Sequence, residues 1–220
     1  MVERVDVLAD RKDLNRSQMM EEVVREFISS EGVGTAVVFC GGEGVCMNRF
    51  EGTPVLEYVL ENLVGRGVDR IILLPGSNRE VIESYFGSSY QGAALEYCYE
   101  EDPKGTAAAL LNVEDKVEDA FVAVNGDVLT DVDLDEMLKV HRDEGDTATM
   151  ALTTVENPSS YGVVRLKGRN ILGFEEKPDP GSETSRLINA GTYIIEPEIF
   201  SIIKKDSLDK VFEKLTSEGE

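Results

Sequence analysis

Four short apolar runs separated by helical stretches constrain this chain more than any other feature. Residues 36–40 (Ala-Val-Val-Phe-Cys), 70–75 (Arg-Ile-Ile-Leu-Leu-Pro), 94–98 (Ala-Leu-Glu-Tyr-Cys) and 120–125 (Ala-Phe-Val-Ala-Val-Asn) each have the length of a strand. Their weak polar alternation is the mark of strands covered on both faces. Helical patterns lie between them at 54–64, 78–86 and 105–117, the first opened by Pro54. Strands joined by crossover helices run parallel with right-handed connections, and the ligand crevice forms at their carboxyl ends. The spacing therefore predicts an α/β domain with a mixed, mainly parallel sheet.

After a polar helix at 134–144 the rhythm changes. Residues 147–154, 161–166, 170–175 and 192–195 read as strands with few long helices between them, which suggests a meander able to close over a ligand held by the first half. Ahead of the domain, Met19, Met20, Val23, Val24, Phe27 and Ile28 draw one apolar helical stripe, with Ser17 as N-cap and Gly32 beyond the end. The expected division is an N-terminal helical extension at 1–33 and one domain at 34–220. A helix covering apolar surface is favoured over a dedicated interaction arm.

Composition excludes several classes of function. No apolar run approaches the roughly 18 residues of a membrane span, and the N-terminus lacks the pattern of a secretory signal, so no membrane role and a cytoplasmic location are expected. Cys40, Cys46 and Cys98 have no paired spacing and read as reduced thiols. The single histidine, His141, has no motif around it, which discounts a Ser-His-Asp hydrolase. With 43 acidic against 22 basic residues the formal net charge is -21. Such a chain repels nucleic acid, and a salt-adapted cytoplasm would explain the excess. Any phosphate site here needs local cations and a metal acting at short range.

Asn125-Gly126-Asp127 closes the last apolar run. Asp127 there is either a metal-binding carboxylate at the carboxyl end of a strand or the cap of the next helix, and the fragment alone weighs these equally. Gly41-Gly-Glu-Gly44 follows the first strand, where glycine lets backbone N–H groups approach phosphate. Lys104-Gly-Thr-Ala107 opens another helix, Tyr161-Gly-Val-Val164 starts a strand, Glu175-Glu-Lys-Pro178 sets a lysine beside two carboxylates, and Asn189-Ala-Gly-Thr-Tyr193 leads into the final strand. Singly, each is an ordinary turn or helix start.

Together and in this order, from about residue 36 to 218, these motifs resemble the sugar nucleotidyltransferases, the family of glucose-1-phosphate thymidylyltransferase and mannose-1-phosphate guanylyltransferase. The resemblance implies a Rossmann-like, GT-A-type three-layer domain that joins a nucleoside triphosphate to a sugar-1-phosphate and releases pyrophosphate. It further implies that Gly41, Gly42 and Gly44 border the nucleotide, with Gly105 and Thr106 near its base. Asp127 would hold Mg²⁺, the cofactor. Gly162 would meet the sugar through its backbone, Glu176 and Asn189 its hydroxyls, and Lys177 the sugar phosphate. Mg²⁺ prefers carboxylate and phosphate oxygens, so the chemistry requires neither histidine nor cysteine.

Two family features have no counterpart. The family's glycine cluster continues as Gly-Thr-Arg and ends in Pro-Lys, whose cations hold the triphosphate; here Val45-Cys-Met47 follows Gly44, and Arg49 is the only cation left nearby. A second metal-binding aspartate in a Trp-x-Asp segment is also missing, as there is no tryptophan. Losing a cation that stabilises transferring phosphoryl charge can cost on the order of 10³–10⁵ in rate. The alternative expectation is thus a catalytically inactive homologue that binds nucleotide-sugar as a regulatory or partner subunit, or within a homo-oligomer.

Overall fold

The computed structural model describes residues 14–20, 32–42, 45–99, 105–203, 210–212 and 216. The chain divides into two compact units, Met1–Gly32 and Val33–Glu220. In the first, residues 16–20 are helical, and the start is set by Asn15 rather than Ser17. The Asn15 side chain accepts from the Gln18 N–H at 3.0 Å, and the Gln18 side chain accepts from the Asn15 N–H at 2.9 Å. This reciprocal capping box uses an amide pair where the sequence suggested a hydroxyl. The rest of the expected helix, from residue 21, lies outside the described residues.

The second unit is built on a nine-stranded sheet. Its parallel centre holds β1 (Thr35–Phe39), β4 (Arg70–Leu74), β6 (Ala93–Tyr97) and β7 (Phe121–Asn125). These are linked by α1 (Val55–Gly65), α2 (Arg79–Phe86) and α3 (Thr106–Leu111). After α4 (Leu134–Glu144), four antiparallel strands extend one side: β8 (Ala148–Thr154), β9 (Gly162–Lys167), β10 (Asn170–Glu176) and β11 (Leu187–Ile195). The order is β10-β9-β11-β7-β1-β4-β6-β5, with β8 also on β11 and β5 (Ser89–Tyr90) at the far edge. A small hairpin of β2 (Arg49–Phe50) and β3 (Thr53–Pro54) stands apart from the sheet.

Side-chain alternation along the central strands builds the three layers. Ala36, Val38, Ile71, Leu73, Val122 and Val124 pack against α1, α2 and Leu134 of α4. Val37, Phe39, Ile72, Leu74, Phe121 and Ala123 pack against α3 and α5 (Ile199–Ile202). Helix α1 buries Leu56, Val59, Leu60 and Leu63, one stripe at helical spacing, and each such side chain contributes roughly 1.5–3 kcal/mol on burial.

The expected helix at 105–117 is shorter because Asn112 turns its side-chain amide back onto the carbonyls of Ala108 and Ala109, both at 3.2 Å. Those bonds satisfy the last turn, and a short 3-10 turn at Glu114–Lys116 follows. The last strand begins earlier than expected. β11 starts at Leu187, and the Asn-Ala-Gly stretch is a register irregularity inside it rather than a turn before it.

Candidate active site

Four strand ends meet along one edge of the sheet. The Cys40 N–H donates to the Leu74 carbonyl at 2.9 Å, Cys98 N–H to Leu73 at 2.9 Å, and Gly126 N–H to Phe39 at 2.8 Å. The segments that follow β1, β4, β6 and β7 are thereby stitched into one crest, where open α/β sheets bind ligands. Asp127 is exposed just past β7. It does not cap α4; Asp133 does, accepting from the N–H groups of Asp135 and Glu136 at 3.1 Å each. These backbone bonds hold the Asp133 carboxyl below its usual range, with Arg66 beside it.

Gly126 is required by crowding. A Cβ there would sit 3.0 Å from the Cys40 sulfur and 3.1 Å from the Phe39 carbonyl oxygen, so a side chain would force Asp127 away from the crest. The glycine turn after β1 is held from the next loop. Asn78 donates through its amide to the carbonyls of Cys40 at 3.0 Å and Gly42 at 3.4 Å, and the Ser77 hydroxyl donates to Gly42 at 3.3 Å. Gly76, with φ +53, brings its would-be Cβ to 3.0 Å from the Gly41 Cα. Gly41 and Gly42 are exposed above these tethers, Gly42 at φ 96. Gly44, like Lys104, lies outside the described residues.

Two thiols sit under the turn. Cys40 and Cys46 are both buried, and the Cys46 thiol donates to the Cys40 carbonyl at 3.6 Å. Burial pushes the Cys40 thiol well up, and the Cys46 thiol beside it and the negative charge of Asp127 push the same way. The hydrogen bond from Cys40 lowers Cys46.

Gly162, Glu176, Lys177 and Asn189 come together on the antiparallel side. Gly162 and Glu176 are directly paired across β9 and β10. A Cβ on Gly162 would lie 2.4 Å from Phe174 Cζ and 3.0 Å from Glu176 Oε2, so this glycine makes room for both. Lys177 follows with φ 44, its N–H donating to the Tyr161 carbonyl at 3.1 Å and its Nζ 3.2 Å from Glu176 Oε1. Asn189, on β11, accepts from the Gly191 N–H at 2.8 Å and donates to the Tyr193 hydroxyl. Gly191, φ 72, places its would-be Cβ 2.7 Å from the Asn125 side chain, two residues before Asp127. Contact thus runs from Asn189 through Gly191 and Asn125 to the crest.

Gly105 precedes α3 with φ 100, and Ala107 and Leu110 of that helix join the cluster of Phe39 and Leu74. Thr106 is the first residue of α3. Arg49, on β2, donates to the Gly52 carbonyl and lies 5.9 Å from the Tyr85 ring centre. Its guanidinium is engaged by its own hairpin. Among the described residues no group of three or more His, Cys, Asp or Glu could hold a metal ion.

The nucleotidyl transferase family profile matches residues 47–220, beginning just past the glycine turn. The chain belongs to the nucleotidyl transferase family. It is 34% identical over 170 residues to a D-glycero-alpha-D-manno-heptose 1-phosphate guanylyltransferase of Aneurinibacillus thermoaerophilus, covering 76% of this chain and 73% of that protein. It is 36% identical over 186 residues to a UTP--glucose-1-phosphate uridylyltransferase of Synechocystis, covering 76% of this chain and 48% of the relative. The bifunctional protein GlmU of Methanococcus maripaludis strain C5 matches at 30% over 181 residues, with 77% of this chain and 42% of GlmU covered. The chain thus spans less than half of two of these relatives. The fold is also that of a UDP-glucose pyrophosphorylase solved with UDP-glucose, at TM-score 0.73 and 19% identity over 84% of this chain and 88% of the other. HddC from Yersinia pseudotuberculosis superposes at TM-score 0.68 with 22% identity, covering 80% and 84%.

Sequence reasoning passed over Ser77 and Asn78, which tether the glycine turn. Asn78 reads only as a helix start and Ser77 carries no signal, and only the adjacency of β4 to β1 brings them against Gly42. In the sequence Asn125 has only the signal of a turn residue; the return of β11 beside β7 brings Gly191 against it.

Proposed function

We propose that the chain transfers a nucleoside monophosphate from a nucleoside triphosphate to a sugar-1-phosphate and releases pyrophosphate. The observation that carries this reading is the crest itself, where Asp127, the tethered turn at 41–42 and the Gly162, Glu176, Lys177 and Asn189 cluster are joined through Gly126–Cys40 and Asn125–Gly191 contacts. A sugar phosphate oxygen attacks the α-phosphorus in line with the departing pyrophosphate, and the work of the protein is to place two anions against each other.

Each group has a part in that placement. The backbone at 41–42 borders the nucleotide, and Gly105 with Thr106 lies toward its base. Lys177 meets the sugar phosphate, Glu176 and Asn189 accept from or donate to sugar hydroxyls, and Gly162 presents backbone to the ring. The exposed Asp127 carboxylate fits Mg²⁺, which is commonly held by one or two carboxylates and completes its shell with substrate phosphates and water. When bound, the ion neutralises charge building on the phosphoryl oxygens. A cytoplasmic enzyme, alone or as a homo-oligomer, fits this reading. A second reading, a nucleotide-sugar binder without turnover, is favoured by one observation: the turn is followed by Val45-Cys-Met47 in place of the family's cations.

Pyrophosphate release with Mg²⁺ and a panel of nucleoside triphosphates and sugar-1-phosphates tests both. Asp127→Asn is expected to lower turnover by on the order of 10²-fold or more, the effect of losing a metal ligand worth several kcal/mol. Lys177→Ala is expected to raise KM for the sugar phosphate about tenfold, one charge-assisted contact. Background pyrophosphate release by a protein that still binds nucleotide-sugar would select the second reading.

A further inference from the structure

We propose that Arg79 is the cation that receives the β- and γ-phosphates over the turn at 41–42. The proposal rests on the nucleotidyltransferase reading and supplies what the turn itself lacks. Arg79 directly follows Asn78, whose amide lies 3.4 Å from the Gly42 carbonyl, so it leaves the chain beside the turn. Its guanidinium is held 3.5 Å from the centre of the Tyr99 ring, and Tyr99 stands past β6 on the same crest. Glu83 fixes the pair from one side, accepting from Arg79 Nε at 3.4 Å and from the Tyr99 hydroxyl at 3.1 Å.

Among the described residues, the Tyr99 ring and the Glu83 carboxylate set the plane and direction of the guanidinium. A preorganised, weakly hydrated guanidinium matches the oxygens of two adjacent phosphates better than a mobile ammonium does. Asp127 stands past β7 and Arg79 past β4, with the glycine turn of β1 between them, because β7, β1 and β4 are neighbours in the sheet. Asp127 thus follows the strand on one side of the turn and Arg79 the strand on the other, with the Arg79 guanidinium stacked over Tyr99 past β6. Arg49 does not compete for this place, since its guanidinium faces Gly52 and Tyr85.

The test is calorimetric titration of the whole chain with Mg²⁺ and each of ATP, GTP, UTP and dTTP, and with the matching monophosphates. Arg79→Ala is expected to weaken triphosphate binding about tenfold or more and to leave monophosphate binding unchanged, a split that mere loosening of Tyr99 would not produce. Arg79→Lys should recover only part of the loss. Glu83→Gln removes the competing charge and should tighten triphosphate binding, which keeps the test decisive if Arg79→Ala fails to fold. Equal affinity in wild type and Arg79→Ala, parallel loss of mono- and triphosphate, weaker triphosphate binding in Glu83→Gln, or a wild-type protein that binds no triphosphate would each overturn the proposal. Pyrophosphate release is measured on the same samples. Triphosphate binding that depends on Arg79 without turnover would overturn the transferase reading and leave this assignment standing.

Discussion

At the scale of single residues, glycine does two different jobs on the crest. Gly76 and Gly191 combine left-handed backbone with a neighbour in the space of a side chain, whereas Gly126 and Gly162 are needed for that crowding alone. The second kind yields a sharp prediction. Gly162→Ala puts a methyl 2.4 Å from Phe174 Cζ, and overpacking of this type costs about 1–3 kcal/mol. Thermal denaturation should show that loss, and Phe174→Leu in the same chain should restore most of it. A Gly162→Ala protein as stable as wild type would mean that Phe174 has another rotamer available. The motif Tyr-Gly-Val-Val was legible in the sequence, but the reason for its glycine was not, because Phe174 lies on a different strand.

Among the secondary elements, the central ladder is pinned by charge as well as by apolar burial. Arg70 of β4 donates to Glu96 of β6 at 2.7 Å, and Lys116, before β7, lies 3.3 Å from the same carboxylate. The Arg70 hydrogen bond, aided by Lys116, lowers the Glu96 pKa. A carboxyl depressed in the folded state adds stability above its unfolded pKa, near 4.3, and that increment disappears as pH falls through the folded value. Glu96→Gln should therefore be less stable than wild type at pH 7 by about 1 kcal/mol or less, since the pair is partly solvent-screened. The gap should close below about pH 4 in urea melts. A gap that is constant with pH would show that the loss comes from packing. His141 also ties elements together through hydrogen-bonding distances: buried in α4, it meets Thr149 of β8 at 2.8 Å and Glu196, just past β11, at 3.2 Å. This places the single histidine in the scaffold, in keeping with its lack of any catalytic motif.

For the whole molecule the excess of acidic charge is the dominant electrostatic fact. A net charge of -21 destabilises the compact state through self-repulsion, and salt screens it as the Debye length falls from about 10 Å at 0.1 M to about 3 Å at 1 M. Tm is expected to rise as NaCl increases over that range, and triphosphate affinity should suffer less from salt than phosphate contacts alone would predict. A falling Tm would show that pairs such as Arg70–Glu96 outweigh the repulsion. No helix among the described residues is long and apolar enough to cross a membrane.

By itself the sequence determined the parallel centre, a strand-rich second half and the order of the motifs, because burial on both faces and helical period are local properties written residue by residue. It also located Asp127 at a strand end and exposed the missing cations after Gly44. Tertiary structure decided the rest. Whether Asp127 or Asp133 caps α4, why Gly126 and Gly162 have no side chain, and which residues hold the turn at 41–42 all depend on neighbours far away in the chain. Asn78 meets Gly42 only because β4 lies beside β1, and Asn125 meets Gly191 only because β11 returns antiparallel to β7. Strand adjacency is set by packing of the whole sheet, and no local pattern carries it.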